Sequence, residues 1–126
     1  MTTTIVIDKC GMLQKRGELN RAWRSRWCQL VGATLFYYKT QRDAAGGNIK
    51  AALDSIKLDQ AVVRQATDDD GTPHCFEIVT KNRAFLLAAE SRDSMHDWIS
   101  ALVSDRWFVG ARSLTGRRRR RCIVCC

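Results

Sequence analysis

The stretch GMLQKRG at residues 11–17 precedes WRSRWCQL at residues 23–30, and both are typical of β-strands joined by a turn. Side chains alternate between the two faces of a strand, so Arg24 and Arg26 must point to the same face. Lys15 joins that face if the two strands form a hairpin. The first hairpin is therefore predicted to bring three cations together on one surface.

Three converging cations are typical of a phosphate-binding site. A guanidinium group binds two phosphate oxygens at once, and a lysine adds a mobile point charge. A solvent-exposed basic strand face would show the same spacing. From the spacing alone, both interpretations of this surface stay open.

Turn signals divide the rest of the chain into short strands followed by one helix. Ser91 is predicted to cap this helix, in which Met95, Trp98, Ile99 and Leu102 recur at helical spacing. We predict that this apolar stripe closes one open end of the sheet, which makes Trp98 a core residue. Seven strands are predicted, at about 9–16, 23–31, 34–39, 54–59, 61–66, 74–80 and 84–89.

The ordered set of segments resembles the pleckstrin homology (PH) domain family. Besides the first hairpin, LFYYK at residues 35–39 resembles the third strand of the family, and FLLAA at 85–89 resembles the seventh. FEI at 76–78 resembles the sixth strand, and Trp98 lies where the closing helix carries its signature tryptophan. A weaker similarity, which begins at residues 56–62, is to the PH domain at the start of some TBC-type Rab GTPase-activating proteins.

The resemblance covers residues 8–107 and implies a mainly β fold. The expected architecture is a seven-stranded antiparallel sandwich or partly open barrel, capped by one C-terminal α-helix. Residues 108–126 are then expected to form a flexible, basic tail that contains cysteines.

The resemblance also implies a binding site for the head groups of phosphoinositides. In the family, inositol phosphates are bound by residues at the positions of Lys15, Arg24, Arg26 and Tyr37. Other PH domains bind proteins, so the docking of a GTPase or a peptide is the alternative function. The rim of the site is predicted at Arg16, Arg21, Lys39 and Arg42.

The net charge of +8 is unevenly distributed over the 126 residues. The run from Arg117 to Arg121 carries five of these charges, which leaves about three for the rest of the chain, a mild balance for a nucleic-acid binder. We therefore expect no nucleic-acid partner. Nucleic-acid binding, if it occurred, would depend on that arginine run.

The arginine run is followed directly by three cysteines, Cys122, Cys125 and Cys126. Each arginine near an anionic membrane contributes about 1 kcal/mol to binding, and an acyl chain on cysteine would add a second anchor. The terminal Cys-Cys resembles the prenylated ends of Rab GTPases, but that reaction requires recognition of the GTPase, so S-palmitoylation is predicted here. A zinc site, a nuclear localisation signal and a disordered tail stay open as alternatives.

No catalytic, metal or cofactor site is predicted. His74 and Cys75 are adjacent on a predicted strand, so their side chains point to opposite faces and cannot share a proton. Cys10, Cys28 and Cys75 lie in apolar strand patterns and are predicted to be buried free thiols. No apolar stretch reaches about 18 residues and no signal peptide is recognised, so a cytoplasmic protein is expected. We further expect a monomer that associates peripherally with membranes.

Overall fold

The computed structural model describes residues 6–17, 21–67 and 71–103, which form one antiparallel sheet and one α-helix. The predicted strand positions agree with the structure to within about two residues at each end. The strands are β1 (Lys9–Arg16), β2 (Trp23–Val31), β3 (Thr34–Tyr38), β4 (Asp54–Lys57), β5 (Val62–Gln65), β6 (Cys75–Val79) and β7 (Ala84–Ala88), and the helix is α1 (Arg92–Leu102).

The seven strands lie in the order β4-β3-β2-β1-β7-β6-β5, with every neighbouring pair antiparallel. The sheet is open, with β4 and β5 at its edges. The face that carries Leu13, Leu30, Leu35 and Ile56, all buried in the main core, is called the inner face below. These features confirm the predicted fold class.

Helix α1 closes the inner face at one end of β1. Ser91 accepts a hydrogen bond from the backbone N–H of Ser94 through its hydroxyl oxygen, at 3.1 Å, and so caps the helix as predicted. Trp98 is only 2% exposed and belongs to the main core, which confirms its structural role. A Cβ atom added to Gly11 would lie 3.5 Å from the Trp98 ring, so the indole packs directly on the β1 backbone. No helix of the described ranges is long and apolar enough to cross a bilayer.

The connection between β3 and β4 packs against the outer face of the sheet. It contains two short 3₁₀ helices, Arg42–Gly47 and Ile49–Ala51, in a region without a periodic hydrophobic pattern. Ala44 is buried there in a second apolar cluster with Trp27 and Tyr38. This cluster explains why four consecutive residues of β2, from Trp27 to Leu30, are all buried: each face of the strand is covered.

The cysteines of the described region differ in whether they are free thiols or disulfide-bonded. Cys28 and Cys75 are buried free thiols, as predicted. The prediction is wrong for Cys10, which is disulfide-bonded. Cys10 lies on the outer face in the second apolar cluster, whereas Cys28 is fully enclosed by the main core.

We expect Trp98→Ala to lower the free energy of unfolding by about 3–5 kcal/mol, because it removes a large buried ring and leaves a cavity beside Gly11. Chemical denaturation followed by circular dichroism measures the change. Asp97→Ala, at an exposed neighbouring position of the same helix, is the control and should be close to the parent. A Trp98→Ala protein as stable as the Asp97→Ala control would contradict the core assignment.

Candidate functional site

The four residues predicted to bind a head group all point to the inner face, at the end of β1 that is remote from the helix. Lys15 lies opposite Arg24, and Leu13 lies opposite Arg26. Tyr37 lies opposite Cys28, which follows Arg26 by two residues and therefore shares its face. Trp98 packs at Gly11, so the cations lie about 13 Å further along β1 at the usual strand rise. Among the described residues, no helix covers this polar end of the inner face.

Lys15 is half-buried among aromatic rings and other cations. Its Nζ atom lies 4.8 Å from the centre of the Tyr37 ring and 5.7 Å from that of Phe85. Burial lowers the pKa of Lys15, and repulsion from Arg83 and Arg26 lowers it further. An ammonium group in this position is poorly hydrated and crowded by positive charge, so an anion bound beside it would stabilise its charged form.

Arg83 is a member of the site that sequence reasoning missed. It lies in the turn between β6 and β7, and its Cζ atom is 4.2 Å from the centre of the Phe85 ring. The alternation of side chains along β7 could have revealed it. Phe85 and Leu87 lie on the inner face, and Arg83 precedes Phe85 by two residues, so it is expected on the same face.

Asp54 is the second residue that was missed, and it places a carboxylate among the cations. It is the cross-strand partner of Tyr37, so the two side chains lie on the same face of the sheet. Burial raises the pKa of Tyr37, and the negative charge of Asp54 raises it further. We call the group formed by Lys15, Arg26, Tyr37, Asp54 and Arg83 the basic mouth.

The two arginines of β2 differ in their surroundings. Arg26 is half-buried, acts electrostatically on Lys15, and donates a hydrogen bond from Nη1 to the carbonyl oxygen of Ser25 at 2.9 Å. Arg24 is exposed, and its position opposite Lys15 places it at the outer edge of the basic mouth. Arg26 is therefore the arginine of this pair whose charge acts on Lys15.

The predicted rim residues lie in two different places. Lys39 and Arg42 are exposed in the connection that follows Tyr38. Arg16 and Arg21 instead line a cavity of about 480 Å³, which also involves Glu77 and Leu86. Arg16 alternates with Lys15 on β1 and so faces the other side of the sheet, where its Cζ atom lies 5.9 Å from the Trp23 ring.

The remaining site predictions concern lipidation and metals. The predicted lipidation sites, Cys122, Cys125 and Cys126, lie outside the described residues. Within residues 6–17, 21–67 and 71–103, no group of three or more His, Cys, Asp or Glu side chains is arranged to hold a metal ion.

Cys28 forms part of the floor beneath the basic mouth, and we expect it to be chemically inert. Burial raises its pKa to about 12, and the opposing effects of Lys15 and Arg26 are smaller. At about pH 8 only about one thiol in ten thousand would be ionised, and alkylation requires the thiolate. Brief iodoacetamide treatment followed by peptide mapping should leave Cys28 unmodified in the native protein. The guanidinium-unfolded protein is the control and should be fully modified. Rapid alkylation of native Cys28 would show that water reaches the floor.

Comparison with known proteins shows similarity to one family and to segments of larger proteins. The PH domain family matches residues 7–105 of the chain. A PH domain-containing protein of Dictyostelium discoideum is 31% identical over 75% of the chain, and diacylglycerol kinase eta of Mesocricetus auratus is 33% identical over 76%. These alignments cover only 20% and 8% of the two relatives, so the chain spans a small part of each.

Solved structures with the same fold include two PH domains with 30% sequence identity. The C-terminal PH domain of pleckstrin, in complex with D-myo-Ins(1,2,3,4,5)P5, superposes with a TM-score of 0.63, covering 77% of this chain and 95% of that one. The PH domain of human TBC1 domain family member 2 superposes with a TM-score of 0.65, covering 93% of each chain.

Proposed function

The chain belongs to the PH domain family, and on that basis we propose that it binds phosphoinositide head groups at the cytosolic surface of a membrane. The PH domain is a non-catalytic module, although relatives such as diacylglycerol kinase eta are larger proteins named as enzymes. We propose a role in membrane targeting for this chain, without catalysis or a cofactor, as a monomer that does not bind nucleic acid.

The observation that carries this proposal is the crowding of Lys15. A half-buried ammonium group beside Arg26 and Arg83 is destabilised by desolvation and by repulsion. A phosphate group would replace the missing water and neutralise the repulsion, so its binding would relieve both penalties. Arg26 and Arg24 would supply guanidinium groups for charge-assisted hydrogen bonds to the same ligand.

Known ligands of similar domains support the same class of compound. The C-terminal PH domain of pleckstrin has been solved with two different inositol pentakisphosphates, at 29–30% identity to this chain. Inositol phosphates are the soluble counterparts of phosphoinositide head groups. Tyr37, which contacts Lys15, would help to position the ammonium group.

We expect Arg26→Ala to weaken phosphoinositide binding about tenfold to a hundredfold, because it removes a charge-assisted contact. Arg26→Lys keeps the charge but removes the planar fork, so it should also be impaired at a site that binds phosphate oxygens in pairs. Co-sedimentation with phosphoinositide-containing vesicles and calorimetry with soluble inositol phosphates, both at physiological salt, measure the two effects.

Lys57→Ala is the matched control for the Arg26 variants, because it removes one positive charge from an exposed position at the far end of β4. It should bind like the parent. If the Arg26 variants also bind like the parent, the basic mouth is not the site, and the docking of a GTPase or a peptide becomes the better proposal.

We propose that residues 108–126 act as an auxiliary membrane anchor, since five arginines adjoin Cys122, Cys125 and Cys126. Replacing the three cysteines by serine, with Arg117 to Arg121 kept, should abolish a lipid adduct and shorten membrane residence in eukaryotic cells. Intact-mass spectrometry and fluorescence recovery measure these changes. Unchanged mass and unchanged localisation would contradict lipidation.

A further inference from the structure

Asp54 is an acidic side chain inside a group of cations, and its position is fixed from three directions. The β3–β4 register places it opposite Tyr37. The backbone N–H of Leu53 donates to the carbonyl oxygen of Tyr37 at 2.9 Å, which holds the start of β4 against β3. The Oδ1 atom of Asp54 accepts a hydrogen bond from the backbone N–H of Ser55 at 2.8 Å. Its carboxylate is therefore a constant feature of the mouth.

The carboxylate of Asp54, opposite Tyr37, determines what this side of the mouth can bind. An ionised carboxylate only accepts hydrogen bonds, with about four acceptor positions on its two oxygens. The backbone N–H of Ser55 occupies one of these positions, and the side chain is exposed to solvent. This side therefore offers acceptors, whereas the side of Lys15 and Arg26 offers donors.

An inositol phosphate carries groups that fit both sides. Its phosphates are anionic acceptors and suit Lys15, Arg26 and Arg83. Its free hydroxyl groups are neutral and can donate to a carboxylate. A phosphate placed against Asp54 would meet a like charge.

We propose that Asp54 is a specificity-determining residue, which selects inositol phosphate head groups with a free hydroxyl, rather than a phosphate, on the side of Tyr37. This inference rests on the proposed function of the basic mouth. It adds the requirement that one edge of the ligand lack a phosphate.

Two kinds of soluble probe test the inference. Inositol trisphosphates have free hydroxyl groups, whereas inositol hexakisphosphate has none. The parent protein should bind hexakisphosphate no more tightly than its best trisphosphate, despite the greater charge of hexakisphosphate. Asp54→Asn keeps the size and shape of the side chain and removes its charge, so its affinity for hexakisphosphate should rise about fivefold, the effect of one charge pair at about 4 Å in water. Its affinity for the best trisphosphate should not rise.

Asp59→Asn is the matched control, because it makes the same change of charge in the exposed turn after β4. It should leave the ratio of the two affinities at the parent value. The parent, Asp54→Asn and Asp59→Asn proteins are also tested on vesicles with and without a phosphoinositide. This comparison shows whether the preference for a free hydroxyl extends from soluble inositol phosphates to membrane lipids. Calorimetry at fixed salt provides the affinities for the soluble probes.

The possible outcomes separate this inference from the proposed function. If Arg26→Ala weakens binding but Asp54→Asn leaves the ratio unchanged, the site is correct and the selectivity role of Asp54 is overturned. If Asp54→Asn weakens both probes equally, Asp54 only orients Lys15 and Tyr37, which also overturns it. If the parent protein binds neither probe, or if Arg26→Ala binds both normally, the proposed function itself fails.

Discussion

The site depends on the register between β1 and β2. Because antiparallel partners point to the same face, this register aligns Leu13 with Arg26 and Lys15 with Arg24. The inner face of β2 therefore changes from buried at Leu30 to exposed at Arg24 within one strand. A slip by one residue would exchange the two faces and turn the arginines away from Lys15. The buried apolar half of the hairpin thus fixes the geometry of its charged half.

Close placement of like charges is unfavourable for an isolated domain, and here the rigid sheet imposes it. Lys15 is held by β1 and Arg26 by β2, while Arg83 lies in a short turn before β7. Since these positions are set by the fold, a ligand would not have to order the chain in order to meet them. Preorganisation of this kind lets more of the contact energy contribute to affinity.

Sequence reasoning predicted the features that depend on local periodicity. Alternation placed Arg24 and Arg26 on one face, and the predicted hairpin added Lys15. The resemblance to PH domains added Tyr37, and helical spacing placed Trp98 in the core. It missed Asp54 because the residue follows an irregular connection, so its position opposite Tyr37 depends on a cluster around Ala44 that has no periodic signal. Arg83 was missed because a turn residue was not assigned to either face. The state of Cys10 depends on a second sulfur atom, which strand patterns cannot reveal.

The packing of Trp98 on Gly11 has an evolutionary consequence. It places a large, almost fully buried side chain at one end of β1, while Lys15 lies at the other end of the same strand. Substitutions in the loops around the open end can therefore accumulate with little risk to folding, as long as the closed end stays intact. A domain whose core and binding site lie at opposite ends of one strand can acquire new ligand preferences through a few loop substitutions, while its scaffold stays unchanged.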